Sequence, residues 1–422
     1  MTFDISLLEP KEVSINLKLL KLFRFFHLFD PKTRKICNIN VYHLVWYIIN
    51  SVLSCIVIYG LLGYFTEMED VIDIVFHIQL MFCCLIYSLS LIKIIVFLYK
   101  ANNIWDLLSV TCIHFLTSTR CQTYIGILHN HRKKSIKMTN ITCGLVFINA
   151  IEWSMYPLVL KLLQKEDANQ SNRRLENIFN LRFPVTINNY NNNYVTFYIM
   201  ESSIIMFLLY IYVVIDVFFI SICYVMIAHY EIIKRAYENI NSTLNSKNNN
   251  GNINDFNVND CFDDLVSITM DQQKHFAKLK LFYSTYKFII LSTVIINSGS
   301  IIILTYASVV IFTSSESIPI LSVIKLISAF GYMLIVLFFL CYLIERINNK
   351  MESVHFGMYS CNWTSMNIRS KKMLLLSMQL NNTANELKIK ITPRKIVNLQ
   401  FFSSVIITCY NVLSAMFNTR YK

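Results

Sequence analysis

A chain of 422 residues that is 55% hydrophobic and only 15% charged, with 30 Phe and 24 Tyr, carries more apolar surface than a soluble domain can bury. Its net charge of +12 reads as the basic face of a membrane protein; no basic and aromatic surface suited to bases is visible, so nucleic acid is not an expected partner. Only 8 Gly and 6 Pro point to long uninterrupted helices rather than the broken helices of transporters.

Residues 1–41 carry Lys11, Lys18, Lys21, Arg24, Lys32, Arg34 and Lys35 between short apolar patches. No signal-peptide core fits there, so the first span is expected to direct its own insertion. Apolar windows follow at 42–65, 71–99, 138–162, 197–227, 286–312, 319–344 and 393–417, which predicts seven spans in a lipid bilayer. The block MLLLSMQL (373–380) is too short to cross. Lys and Arg number seven in 1–41, six in 100–137, six in 228–285 and seven in 345–392. The alternate connections hold none (66–70 and 313–318) or four (163–196). The positive-inside rule then places the N-terminus in the cytoplasm and the C-terminus outside. The expected fold is an all-α integral membrane protein of seven transmembrane helices with cytosolic helical extensions.

The inner connections keep a helical pattern. EIIKRAYENINSTL prolongs span four, the Asn-rich 247–260 interrupts it, and CFDDLVSITMDQQKHFAKLKLFYSTYK runs straight into span five. Spans four, five and six are therefore expected to project beyond the bilayer. The polar outer loop 163–196 holds the sequon at Asn169, an expected glycosylation site. The sequons at Asn140, Asn241, Asn362 and Asn381 fall at the inner edge or in the cytosol.

No enzyme is legible in the chain. The nine histidines form no metal-binding pattern, and the close pair His129 and His131 fits a solvated basic face. There is no phosphate-cradling glycine loop and no CxxC pair, so neither a cofactor nor a metal is expected. The predicted outer loops lack cysteine altogether, and the 12 cysteines read as reduced, small hydrophobes. Four acids fall in the spans. Asp73, Glu152 and Glu201 lie toward outer ends, where water access is an equal explanation, and Asp216 in span four is either a polar lining or a helix contact.

Span six runs on into ERINNKMESVHFGMYSCNW (345–363), where Ile344, Ile347, Met351, Val354 and Met358 recur three and four apart. A seven-span chain with its N-terminus inside is inverted relative to G-protein-coupled receptors. With Glu345, Val354, Tyr359 and Trp363 in that stretch, the basic RSKK after it, and Thr408 and Tyr410 in the last span, it resembles the insect odorant receptors. Ile344, Ile347, Met351 and Gly357 stand where that pattern has Gly, Leu, Ser and Ala, and Cys409 and Asn411 where it has Ser.

The resemblance implies a tuning subunit that binds a volatile odorant and gates a cation channel as a heterotetramer with the odorant receptor co-receptor. It also implies a cell-membrane location in sensory dendrites. It divides the chain into a cytoplasmic segment (1–41), spans one to six (42–344), cytosolic anchor helices (345–392) and a pore-lining last span with a short extracellular tail (393–422). Glu345, Val354, Tyr359, Trp363 and Tyr410 become anchor-packing residues, and Leu413, Met416 and Phe417 the gate. The odorant is expected in the outer halves of spans two, three, four and six, against His77, Met81, Trp153, Tyr156, Met206, Tyr210, Phe330 and Met333, because a volatile ligand gains affinity from apolar and aromatic contact. Of these, Trp153 and Tyr210 are the strongest candidates. Two alternatives stay open: a gustatory receptor of the same superfamily, for which Tyr410 and Phe417 fit but Cys409 and Met416 do not, and a membrane-embedded lipid-modifying enzyme.

Overall fold

The computed structural model describes residues 15–24, 28, 35–36, 39–62, 71–163, 174–240, 258–313, 320–384 and 387–420. Seven of its helices are long and apolar enough to cross a membrane. Span one is Val41–Leu62, span two Val71–Tyr99, span three Ile125–Leu163 and span four Tyr194–Glu238. Span five is Val258–Thr313, span six Ile320–Ser360 and span seven Leu399–Arg420. At 1.5 Å per residue, the 45-residue span four reaches roughly 68 Å and the 56-residue span five roughly 84 Å, against a hydrocarbon core of about 30 Å. These helices must extend far outside the bilayer. Span three does so too: its helix begins at Ile125 rather than near residue 138, because the basic stretch before the apolar window is itself helical.

Span four is buried along most of its length, whereas spans one and seven leave most of theirs exposed. Within the projecting bundle, Ile344, Ile347, Met351, Val354 and Met358 are all fully buried, the apolar stripe packing inward. Gly357 lets span six press on span four, since a Cβ there would lie 2.8 Å from the Lys234 carbonyl oxygen. Polar ties hold the same helices. Glu231 of span four pairs with Lys350 of span six at 3.0 Å and with His131 of span three at 3.3 Å. The Tyr237 hydroxyl donates to Gln272 Oε1 at 2.7 Å, and Thr269 meets Ser377 at 2.7 Å, joining spans four and five to the helix Ile368–Ala384.

A short antiparallel hairpin, Lys390–Thr392 with Lys395–Ile396, leads into span seven. The Glu345 carboxylate accepts the N–H of Leu399, the first residue of that span, at 2.6 Å. An acid so placed satisfies an orphan donor and favours the positive end of the helix dipole. Span six therefore sets where span seven starts.

Candidate functional site

An apolar cavity lies among spans two, three, four and six, in the halves remote from the projecting bundle, which are the outer halves on the positive-inside expectation. Each helix offers it one face: Phe82, Cys83 and Ile86; Val146, Asn149, Ala150 and Trp153; Ile205, Leu208, Leu209 and Tyr212; Ala329, Tyr332 and Met333. Within each set the spacing is one, three or four, as a single helix face requires. Phe179, from the connection between spans three and four, completes the lining. Apart from Asn149 and the Cys83 thiol the walls are hydrocarbon and aromatic ring, and the indole Nε1 of Trp153 is buried without a hydrogen-bond partner. Such a chamber suits a small apolar molecule with one acceptor oxygen.

The outer loop that supplies Phe179 is clamped by opposite charges. Glu201 of span four, fully buried, accepts the N–H groups of Phe179 at 2.5 Å and Leu181 at 3.1 Å. Lys325 of span six donates to the Ile178 carbonyl at 2.6 Å, and its ammonium sits 4.5 Å from the ring centres of both Trp153 and Tyr156. The Tyr156 hydroxyl donates to Glu176 at 2.8 Å, and the Arg174 guanidinium lies 3.9 Å from the ring centre of Tyr190. Burial pushes the Tyr190 phenol up to about 12, so it stays a neutral packing ring. Gly60 of span one admits the loop closely, because a Cβ there would meet the Leu181 side chain at 2.7 Å.

A second cavity lies on the inner side of the first, with Tyr332 in the wall of both. It contains a buried ion pair: Lys93 Nζ of span two is 2.8 Å from Asp216 Oδ1 of span four, and the side chains are 2% and 19% exposed. The same ammonium rests 4.2 Å from the ring centre of Tyr212, which lines the outer cavity. Asp216 is thus a helix-to-helix contact and a cavity wall at once.

The residues singled out in the sequence separate into groups. Trp153 and Met333 line the outer cavity, and Tyr156 is buried just beyond it under Lys325. Phe330, half-buried, follows the lining residue Ala329 without lining the cavity itself. Met81 and Met206 are 55% and 62% exposed and face away from it. Tyr210 turns toward the N-terminal segment, where its hydroxyl donates to the Phe23 carbonyl at 2.8 Å and its ring stacks on Trp46. The side chains of Asp73, His77 and Phe417, and the whole of Asn169, lie outside the described residues. Leu413 and Met416 are half-buried on span seven. Val354 is buried in the projecting bundle, but Tyr359 and Tyr410 are each 69% exposed and Trp363 38% exposed. The helix ends at Ser360, so Trp363 sits in a following 3-10 turn, with its ring 6.5 Å from that of Tyr359.

Lys93, Lys325 and Tyr212 escaped the sequence reading. The two lysines had a signal, a basic residue inside an apolar window, which a search for acids alone passes over. Among the described residues no three His, Cys, Asp or Glu side chains come together as a metal site.

The family described as 7tm Odorant receptor matches residues 73–410. Among solved structures, the insect olfactory receptor OR5 from Machilis hrabei superposes with a TM-score of 0.70 at 14% identity, covering 95% of this chain and 97% of that one. The same receptor in complex with eugenol superposes with a TM-score of 0.66 at 14% identity, covering 96% and 99%. No curated protein sequence matches the chain.

Proposed function

Because the chain belongs to the 7tm Odorant receptor family, a family of receptors rather than enzymes, we propose that it is a ligand-specific odorant receptor subunit whose volatile ligand occupies the outer cavity. In this reading it assembles with the odorant receptor co-receptor as a heterotetrameric cation channel of the sensory-neuron membrane, N-terminus inside and C-terminus outside. The observation that carries the reading is the cavity itself: apolar faces of four helices joined by Phe179, with the Trp153 Nε1 hydrogen as a buried, unpartnered donor. An ester, ketone, ether or phenol would take that hydrogen bond and bury its remaining surface against Phe82, Ile205 and Met333. The Machilis hrabei receptor binds eugenol in its solved complex, which makes phenolic aromatics a natural first probe set.

Gating follows from the same scaffold. A ligand between spans four and six acts on helices that continue into the projecting bundle, and Glu345 of span six holds the start of span seven. Span seven would line the pore, with Leu413, Met416 and Phe417 as an apolar constriction that closes by dewetting. Glu345, Val354, Tyr359, Trp363 and Tyr410 would anchor the subunits. The exposed rings of Tyr359, Trp363 and Tyr410 are then surfaces for neighbouring subunits.

The test is ligand-evoked current from cells expressing the chain with and without the co-receptor. Trp153→Ala and Met333→Ala each remove apolar contact worth about 1.5–3 kcal/mol, about ten- to a hundredfold in half-maximal concentration. Met81→Ala and Met206→Ala, which face outward, should leave it unchanged. If the outward pair shifts sensitivity and the cavity pair does not, at equal surface expression, the ligand sits elsewhere.

A further inference from the structure

The second cavity differs in chemistry from the first, and the proposed odorant leaves it unused. Spans two to six all contribute to its wall. Eleven of its seventeen lining residues are Ile, Leu, Val or Phe, so most of the wall offers nothing to water. Two of the polar exceptions are already engaged: the hydroxyls of Thr142 and Thr293 donate to the Met138 and Ile289 carbonyls of their own helices. The ion pair is only partly so. Lys93 holds Oδ1 of the Asp216 carboxylate at 2.8 Å. The lysine side chain is 2% exposed, with its ammonium against the Tyr212 ring, whereas Asp216 keeps 19% of its side chain open. The carboxylate, through Oδ2, is therefore the member of the pair that a molecule in the chamber can use.

Tyr286 of span five brings a second polar group to the same wall. Its hydroxyl is buried and has no hydrogen-bond partner, a costly state for such a group. Its ring meets that of Phe219 at 5.3 Å between centres. Phe219 follows Asp216 by three residues, on the same face of span four. An acceptor, Asp216 Oδ2, and a donor, the Tyr286 hydroxyl, thus border one apolar chamber.

The charge balance selects what can sit there. Lys93 and Asp216 together are neutral, so an incoming ammonium or carboxylate would leave a net charge among hydrocarbon. A plain hydrocarbon would leave both polar groups unpaired. Water would pair them and leave the apolar wall uncovered. A hydroxyl on an apolar body answers each demand, because it donates to a carboxylate, accepts from a phenol and covers hydrocarbon with the rest of its surface.

We propose that this cavity is a second small-molecule site, one that takes a neutral alcohol with a hydrocarbon body. The alcohol donates to Asp216 Oδ2 and accepts from the Tyr286 hydroxyl, and its chain lies along Ile289, Val336 and Leu340. It enters past Ile335, a wall residue that is 39% exposed. Tyr332, in the wall of both cavities, separates it from the outer ligand. The site stands whether or not the outer cavity holds an odorant.

The experiment is photolabelling of the purified full-length chain in detergent, with adducts mapped by peptide mass spectrometry. The probe is an octanol carrying a diazirine in its chain, and the comparison is the methyl ether of the same molecule. The alcohol should label the stretches 215–220, 286–293 and 335–343 that wall the cavity. Its yield there should exceed that of the ether by about tenfold or more, since the ether cannot donate to the charged acceptor. Excess unlabelled octanol should suppress these adducts and leave those on the exposed Ile48 and Val52 face of span one unchanged. Tyr286→Phe removes a hydroxyl that the fold does not bond. The variant should unfold at the same temperature as wild type or higher, while the yield at subsaturating probe falls about two- to tenfold. Thr142→Leu gives up only a bond within its own helix and fills the chamber, so it should abolish the adducts. Equal labelling by alcohol and ether overturns the proposal. So do adducts confined to the outer cavity, wall adducts that excess octanol does not displace, or a Tyr286→Phe protein labelled like wild type.

Discussion

Replacing either member of the Lys93–Asp216 pair alone should harm the protein far more than replacing both. The partners are 2.8 Å apart with side chains 2% and 19% exposed, so the ammonium is cut off from water and the carboxylate is largely so. Asp216→Asn leaves an ammonium in an apolar wall with a neutral amide, and Lys93→Met leaves a carboxylate facing hydrocarbon. Breaking a buried pair in this way costs about 3–5 kcal/mol, whereas exchanging the whole pair for well-packed apolar groups is neutral or stabilising by about 1–4 kcal/mol. Lys93→Met with Asp216→Leu should therefore recover most of the loss, a non-additivity of several kcal/mol. Unfolding entropy near 2.1 cal/mol/K per residue puts 4 kcal/mol at about 4–5 °C for 422 residues, and more if only part of the bundle unfolds. Thermal unfolding in detergent, followed by tryptophan fluorescence, reads this directly. Single variants within 1 °C of wild type, or a double variant equal to the sum of the singles, would refute the reasoning. The pair would then be hydrated rather than buried.

Gly357→Ala should lower the unfolding temperature, although alanine is the better helix former by about 1 kcal/mol. Its Cβ would lie 2.8 Å from the Lys234 carbonyl oxygen, and overpacking costs about 1–3 kcal/mol. Gly299→Ala, which meets nothing within 4 Å, is the control, and a stabilised Gly357→Ala would show that the two helices are not in contact. Glu201→Gln weakens the charge-assisted acceptor of the Phe179 and Leu181 N–H groups. Hydrogen exchange across residues 174–186 should then quicken while the projecting bundle stays protected, and unchanged exchange would remove Glu201 from the clamp. Leu413→Ser should raise resting current in cells with the co-receptor; normal trafficking with unchanged currents would take Leu413 out of the gate.

Much of the architecture was legible because the bilayer imposes length. Seven apolar windows became seven helices, and the stripe from Ile344 to Met358 became a fully buried seam, since outside the membrane a contrast between apolar and polar faces tells which side is inward. Inside the membrane that contrast vanishes. Met81, Met206 and Tyr210 had depth and spacing as good as Trp153 and Met333, yet the first two face outward and the third faces the N-terminal segment. Lipid is as apolar as a cavity wall, so hydrophobic periodicity assigns a depth to a residue in a span but not a direction.

Charges restore the missing direction. A basic or acidic side chain in a span must find a partner inside the bundle, so each one fixes the rotation of its helix. Asp216 was visible in the sequence, and Lys93 is the partner that orients it; together they set which faces of spans two and four meet. One and two turns toward the outside on those faces stand Tyr212 and Leu209 on span four, and Leu89 and Ile86 on span two. Tyr212, Leu209 and Ile86 all line the outer cavity. Lys325 does the same for span six, because its bond to the Ile178 carbonyl and its place over Trp153 turn Ala329 and Met333, one and two turns inward, toward the chamber. Three ionisable residues thus decide which apolar residues of three spans can touch a ligand, although none of the three needs to touch it.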